Sequence, residues 1–154
     1  MKYLINAVTF AFLSLVLSHH AVAANKGSAD EAVAMVKRAV AYLKANGKEK
    51  AFAEFANQNN QQFHDRDLYV FVYDFNGVAV AHGNNPKMVG KNLLEMKDNE
   101  GTFIIKEFIN VAKTKGKGWV DYKWPNPVTK AIEQKSGYIE KTDGDLIIGS
   151  GIYK

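Results

Sequence analysis

The sequence predicts an α+β domain in which a long N-terminal helix packs on a central antiparallel sheet of about five strands. Three observations carry this prediction. Ser28 and Glu31 form an S-x-x-E capping box ahead of an apolar stripe of helical period. Two runs of strand period, LYVFVYDF and VAVAH, flank Asn76 and Gly77. Two further runs flank Asp143 and Gly144.

In chain order, the first segment reads as an export signal. Lys2 supplies a positive start, Tyr3 to Leu17 is almost wholly apolar, and Ala21-Val22-Ala23 offers the small-x-small pattern of a signal peptidase site. The apolar run, about 15 residues, is shorter than the roughly 20 needed to span a bilayer. Residues 1–23 are therefore expected to be a signal peptide cleaved after Ala23. Residues 24–154 are expected to be one domain with no membrane span, periplasmic or secreted.

After a short leader, Val33, Val36, Val40 and Leu43 place one apolar stripe on a helix from about Asp30 to Asn46, and Gly47 favours its end. A shorter amphipathic piece follows, anchored by Phe52 and Phe55 and ended by the polar run Asn57 to Gln62. From Leu68 the period becomes that of strands. A two-residue turn at Asn76 and Gly77 sets Phe75 opposite Val78, Tyr73 opposite Val80 and Phe71 opposite His82, all on one side of the sheet. Val70, Val72, Ala79 and Ala81 then share the other side, where their small size suits the first helix.

The aromatic side needs its own cover. A loop from Gly83 to Gly90 and a helix bearing Ile104, Phe108 and Val111, ended by Gly116 and Gly118, supply it. The strand WVDYKW puts Val120, Tyr122 and Trp124 on one face until Pro125 and Pro127 stop it. The last two strands run from about Glu133 to Lys141 and from Leu146 to Tyr153, joined by a second two-residue turn.

Composition excludes several kinds of chemistry. With no cysteine anywhere, disulfides, thiol catalysis, c-type haem attachment and cysteine zinc sites are ruled out. Beyond residue 23 only His64 and His82 remain, so no histidine metal site is expected, and no cofactor. The net charge of +4 is almost all lysine spread along the chain. Its densest run, Lys113, Lys115 and Lys117, suits a solvated helix end better than a nucleic-acid footprint. No G-x-S-x-G elbow, H-E-x-x-H or Walker loop occurs, so no catalytic residue is assigned.

The ordered set YVFVYDFNGVAVAHGNNPKMVGKNLLEMKDNEG, GKGWVDYKWPNP, KSGYIE and IIGSGIY, from about Leu68 to Tyr153, resembles the single Cache domains. These are extracytoplasmic sensing modules with a PAS-like fold. The resemblance implies a small organic ligand, a short carboxylate, held between the sheet and the segments covering one of its faces. Two positions depart from the family pattern: Gly83 stands where a proline often follows the histidine, and Leu146 where a tryptophan often opens the last strand.

Candidate site residues follow from both readings. His82 on the aromatic face is either a satisfied core histidine or a donor to a carboxylate. Tyr122 and Trp124 combine an apolar body with a polar tip, so they suit a pocket or a core; Tyr122 is favoured as a hydroxyl donor and Trp124 as wall. Phe71, Tyr73 and Phe103 are further wall candidates. Lys135 aligns with a lysine that the family places before a strand tyrosine, and a buried carboxylate needs such a counter-charge. Tyr138 points away from Lys135 in a regular strand, so it joins the pocket only if Gly137 marks a bulge; otherwise its ring covers Gly149 across the ladder.

These readings converge on an exported sensor-type module that binds a small organic molecule without catalysis. The first alternative is an envelope interaction protein with a filled, vestigial pocket that docks onto a membrane sensor or another partner. The second is a small hydrolase or lyase with His82 as base.

Overall fold

Ser28 opens the first helix as the sequence suggests. In a computed structural model that describes residues 26–154, its hydroxyl accepts the Glu31 N–H while the Glu31 carboxylate accepts the Ser28 N–H. The proposed signal peptide and its cleavage point lie outside the described residues. Helix α1 spans Ala29–Asn46 and α2 spans Lys48–Ala56, the two joined at Gly47. A small two-stranded sheet follows, β1 His64–Asp65 against β2 Leu68–Tyr69. The main sheet holds β3 Phe71–Asp74, β4 Ala79–His82, β5 Lys117–Pro125, β6 Ile132–Thr142 and β7 Leu146–Tyr153 in the order β4-β3-β7-β6-β5. All its neighbours are antiparallel. Helix α3, Ile104–Lys115, crosses from the β3–β4 hairpin to β5.

The sheet separates two cores. On one side α1 lays Met35, Val36, Ala39 and Leu43 over Val70, Val72, Ala81 and Ile148, with Phe55 of α2 and Phe63 closing the edge. On the other side α3 lays Ile104, Ile105, Phe108, Ile109 and Ala112 over Phe71, Tyr73, Tyr122, Ile139 and Ile147. Val111, expected in that stripe, is only half-buried at its margin.

Both hairpin turns are one residue longer than expected. At the first, Gly77 N–H bonds to Asp74 O and Asp74 N–H to Val78 O, with a positive φ at Gly77 (84°) and not at Asn76. This is a type I turn followed by a left-handed glycine, stabilised by the Asp74 carboxylate accepting the N–H groups of Asn76 and Val78. Tyr73 therefore pairs with Ala79, not Val80, and Ala79 moves to the aromatic side. A bulge between Val72 and Tyr73 then absorbs the extra residue and restores the expected pairing of Phe71 with His82. At the last turn, positive φ falls on Gly144 and Asp145, and Thr142 pairs with Leu146. No bulge corrects this hairpin, so Tyr138 lies opposite Ser150 and not Gly149.

Candidate ligand-binding site

The aromatic face holds a chain of rings under α3. Phe71 and Phe108 stack at 5.3 Å, Phe108 meets the edge of Tyr122 at 5.4 Å, and Tyr122 meets Trp124 at 6.1 Å. Tyr69 and His82 stand 5.2 Å apart, and His82 lies 6.4 Å from Trp124. Tyr73, Met96 and Ile104 complete the lining of a cavity of about 10 Å³, room for roughly one water. Gly137 makes this packing possible: a Cβ there would sit 3.0 Å from the Tyr122 ring and 3.1 Å from its hydroxyl.

His82 is a core histidine satisfied by its own loop, and its ring also lines the cavity. Buried to 2% exposure, it accepts N–H groups from Asn84 and Asn85 on Nδ1, at 3.3 and 3.0 Å, and so holds the loop that leaves β4. That bonding assigns its proton to Nε2. Burial, followed by the positive charge of Lys135, pushes its pKa down to about 3. The ring is thus a neutral donor beside the cavity.

Lys135 is fully buried, at 0% exposure. It faces Tyr122 on β5 and Tyr153 on β7. Its Nζ donates to the Tyr153 hydroxyl at 3.2 Å and stands 3.9 Å over the centre of the Tyr69 ring. Tyr153 in turn donates to Pro125 O at 2.7 Å, and the Tyr69 hydroxyl lies 3.5 Å from it. None of the ion pairs among the described residues includes Lys135. Burial pulls its pKa well below the ordinary lysine range, opposed by Asp67. Asp67 is itself fully buried: one carboxylate oxygen accepts the Gly27 N–H at 2.6 Å and the other has no partner among the described residues. Burial raises the pKa of Asp67, and it also raises those of Tyr69, Tyr122 and Tyr153, so the three phenols stay protonated and able to donate.

The expected residues divide cleanly. Phe71, Tyr73, His82, Tyr122 and Trp124 line the cavity, and Lys135 lies behind Tyr69 at its polar end. Tyr138 does not join them. The β6 ladder runs through Gly137 without a bulge, so Tyr138 packs on the α1 side, its ring 5.3 Å from Trp119 and its hydroxyl donating to Glu140. Phe103 caps the start of α3 outside the cavity, with the ammonium groups of Lys97 and Lys106 over its ring. Sequence reasoning missed Tyr69, Tyr153 and Asp67. Tyr153 was hidden by the turn: a two-residue loop sets Ile152 opposite Lys135, whereas the observed register brings Tyr153 there.

A family model for the Cache domain matches residues 26–154. The chain belongs to the Cache domain family. It is 35% identical over 89 residues to the sensor histidine kinase MctS of Rhizobium johnstonii, and 33% identical over 92 residues to the methyl-accepting chemotaxis protein McpP of Pseudomonas putida. Those matches cover 57% and 58% of this chain but only 19% and 17% of the two proteins, so the chain spans a small part of the length of these relatives. A methyl-accepting chemotaxis protein from Vibrio parahaemolyticus superposes with a TM-score of 0.71 at 27% identity, over 80% of this chain and 86% of that one. A Cache chemosensory domain solved as a structural basis for carboxylic acid recognition superposes with a TM-score of 0.69 at 24% identity, over 89% and 99%. These likenesses establish a PAS-like Cache fold. No described helix is long and apolar enough to cross a membrane.

Proposed function

We propose that this Cache domain is an extracytoplasmic sensor module that binds a short carboxylate without transforming it. The observation that carries the reading is Lys135, a fully buried lysine whose only hydrogen-bond partner among the described residues is a neutral phenol. Asp67 acts on an ammonium in that position only from a distance and none of the described carboxylates pairs with it, so a ligand carboxylate would supply the paired counter-charge that offsets desolvation. The Tyr69 and Tyr122 hydroxyls and the His82 Nε2–H are the further donors available to an oxygen held there, the Tyr153 proton being committed to Pro125 O. Phe71, Phe108, Ile104 and Met96 offer the apolar wall for a short alkyl tail. A pKa of about 3 makes His82 a poor base at neutral pH, which supports binding over hydrolase or lyase chemistry.

A ligand of two to four carbons needs more room than about 10 Å³, so Met96 and the start of α3 have to move aside on entry. The small volume favours a second reading, in which the chamber is filled by its own side chains and the domain serves as an envelope interaction protein that docks onto a membrane sensor. Export rests on the apolar segment and Ala21-Val22-Ala23, and the extracytoplasmic sensor setting of Cache domains supports it. Intact-mass analysis of protein from a bacterial host should find Ala24 at the N-terminus.

Thermal melts of refolded protein with acetate, propionate, pyruvate and lactate separate the two readings. A carboxylate at about 100 times its Kd should stabilise the domain by roughly 2.7 kcal/mol, a rise of several degrees. No shift with any of the four would reject the carboxylate reading in favour of the filled chamber.

A further inference from the structure

The two edges of the main sheet are treated differently. At β4, Ala79 N–H bonds to Lys91 O and Gly90 N–H to Ala79 O, so the loop after the hairpin covers that edge. Strand β5, at the opposite edge, is longer and largely bare. Bonds from Lys141 N–H to Gly116 O and from Asn126 N–H to Ala131 O bracket its ladder with β6. In antiparallel pairing this phase directs the even-numbered residues of β5 toward β6, and turns the backbone groups of Lys117, Trp119, Asp121 and Lys123 outward. Lys123 is covered: its N–H bonds to the Asp98 carboxylate at 2.9 Å, and its ammonium pairs with Glu100. At the other end the strand stops at Gly116, the end of α3. Lys117, Trp119 and Asp121 are left with backbone donors and acceptors that have no protein partner among the described residues. At the midpoint of this free stretch stands Trp119, 40% exposed.

We propose that this edge pairs with the same edge of a second copy of the chain, antiparallel about a two-fold axis through Trp119, giving one continuous sheet across two domains. That register uses every free backbone group of the stretch. It sets Trp119 against the partner's Trp119 and Lys117 against the partner's Asp121, twice by symmetry. Neighbouring registers fail on charge: an axis at Asp121 opposes two carboxylates, and an axis at Val120 opposes Lys117 to Lys123, whose N–H is already taken. The Ser136 hydroxyl and the Lys154 ammonium hold the Asp121 carboxyl below its ordinary range, so it is ionised at neutral pH and available to Lys117. A contact of this length belongs with small, transient interfaces, so dimers form at high local concentration and loosen with salt. The inference does not rest on the identity of the ligand.

Charge exchange tests the register directly. Sedimentation velocity of the purified protein from micromolar to millimolar concentration at low salt should show reversible dimerisation. Lys117→Asp or Asp121→Lys alone places like charges opposite each other and should weaken the dimer about tenfold. The double variant exchanges the charges and should restore the wild-type dimer. Melting curves confirm that each variant is folded, and hydrogen exchange of the wild type, which needs no variant, should show the Trp119 amide protected only at high concentration. A monomer at every concentration, or a double variant no better than the singles, would overturn the proposal.

Discussion

The two faces of the sheet are built on opposite rules. On the α1 face, Ala32, Val36, Ala39, Val70, Val72 and Ala81 are buried and wholly apolar, so the face gains from the removal of hydrocarbon from water and contains little that needs a partner. On the α3 face, Lys135, His82 and three tyrosines are buried among aromatic rings and in part serve one another as partners. Buried polar groups of this kind stabilise poorly, because desolvation offsets much of what their contacts return. One face therefore holds the fold, and the other is the one we propose binds the ligand. If that division is right, substitutions on the two faces should separate affinity from stability.

The largest effect is expected at Lys135. Lys135→Met keeps most of the apolar stem and removes the charge, so carboxylate affinity should fall at least about a hundredfold, roughly 3 kcal/mol. Stability should hold or rise, because a buried cation without an ionic partner is removed. Since the folded-state pKa of Lys135 is depressed, the unfolded chain binds its proton more tightly, and wild-type stability should increase as pH rises from that depressed pKa toward about 10. The variant should lack this rise. Calorimetric titration beside denaturant melts measures both quantities, and unchanged affinity would remove Lys135 from the site while leaving the fold untouched.

His82→Ala tests the seam between the two rules, because this ring holds a loop on one nitrogen and faces the cavity with the other. It should lower stability by about 2 to 4 kcal/mol and weaken affinity as well. The pH dependence has a definite sign. With a folded pKa of about 3 against 6.5 in the unfolded chain, wild-type stability attributable to His82 is fully present above about 6.5 and is lost as pH falls toward 3. The difference between wild type and variant should shrink across that window in acid melts. A constant difference would show that the ring takes up its proton as readily in the folded protein as in the unfolded chain.

On the α1 face, Val36→Ala should cost about 2 kcal/mol through lost burial and a residual cavity, with affinity unchanged. A loss of affinity in this variant would mean that the two faces are coupled through the sheet.

Legibility from sequence follows the same division. The α1 face could be read, except for Ala79, because its evidence is local: a capping box, a stripe of helical period and the small strand residues Val70, Val72 and Ala81. The α3 face depends on register between strands far apart in the chain, and register depends on turn length. Asn76-Gly77 and Asp143-Gly144 both name a turn, but neither reveals the third loop residue. At the first hairpin a bulge cancelled the difference, so His82 opposite Phe71 was correctly expected. At the second nothing cancelled it, and Tyr153 was lost while Tyr138 was set opposite the wrong residue. Asp67 left no signal in sequence, because an acid in the polar run HDRD reads as solvated and only tertiary packing buries it.

The smallest expected effect is the sharpest check on that register. Tyr138→Phe removes a hydroxyl whose bond goes to the carboxylate of Glu140 on the α1 side, while the ring, beside Trp119, keeps its packing. The cost should stay below about 1 kcal/mol, in line with one hydrogen bond near the surface, and carboxylate affinity should not move. Tyr122→Phe alters a residue of the same type on the opposite face, where the hydroxyl is buried beside Gly137 at the cavity wall. It should weaken binding with little effect on melting. Titration of the two variants in parallel distinguishes the faces with one oxygen atom each. Equal losses of affinity would mean that Tyr138 reaches the ligand, which a bulge-free β6 does not allow, and the strand register would have to be redrawn.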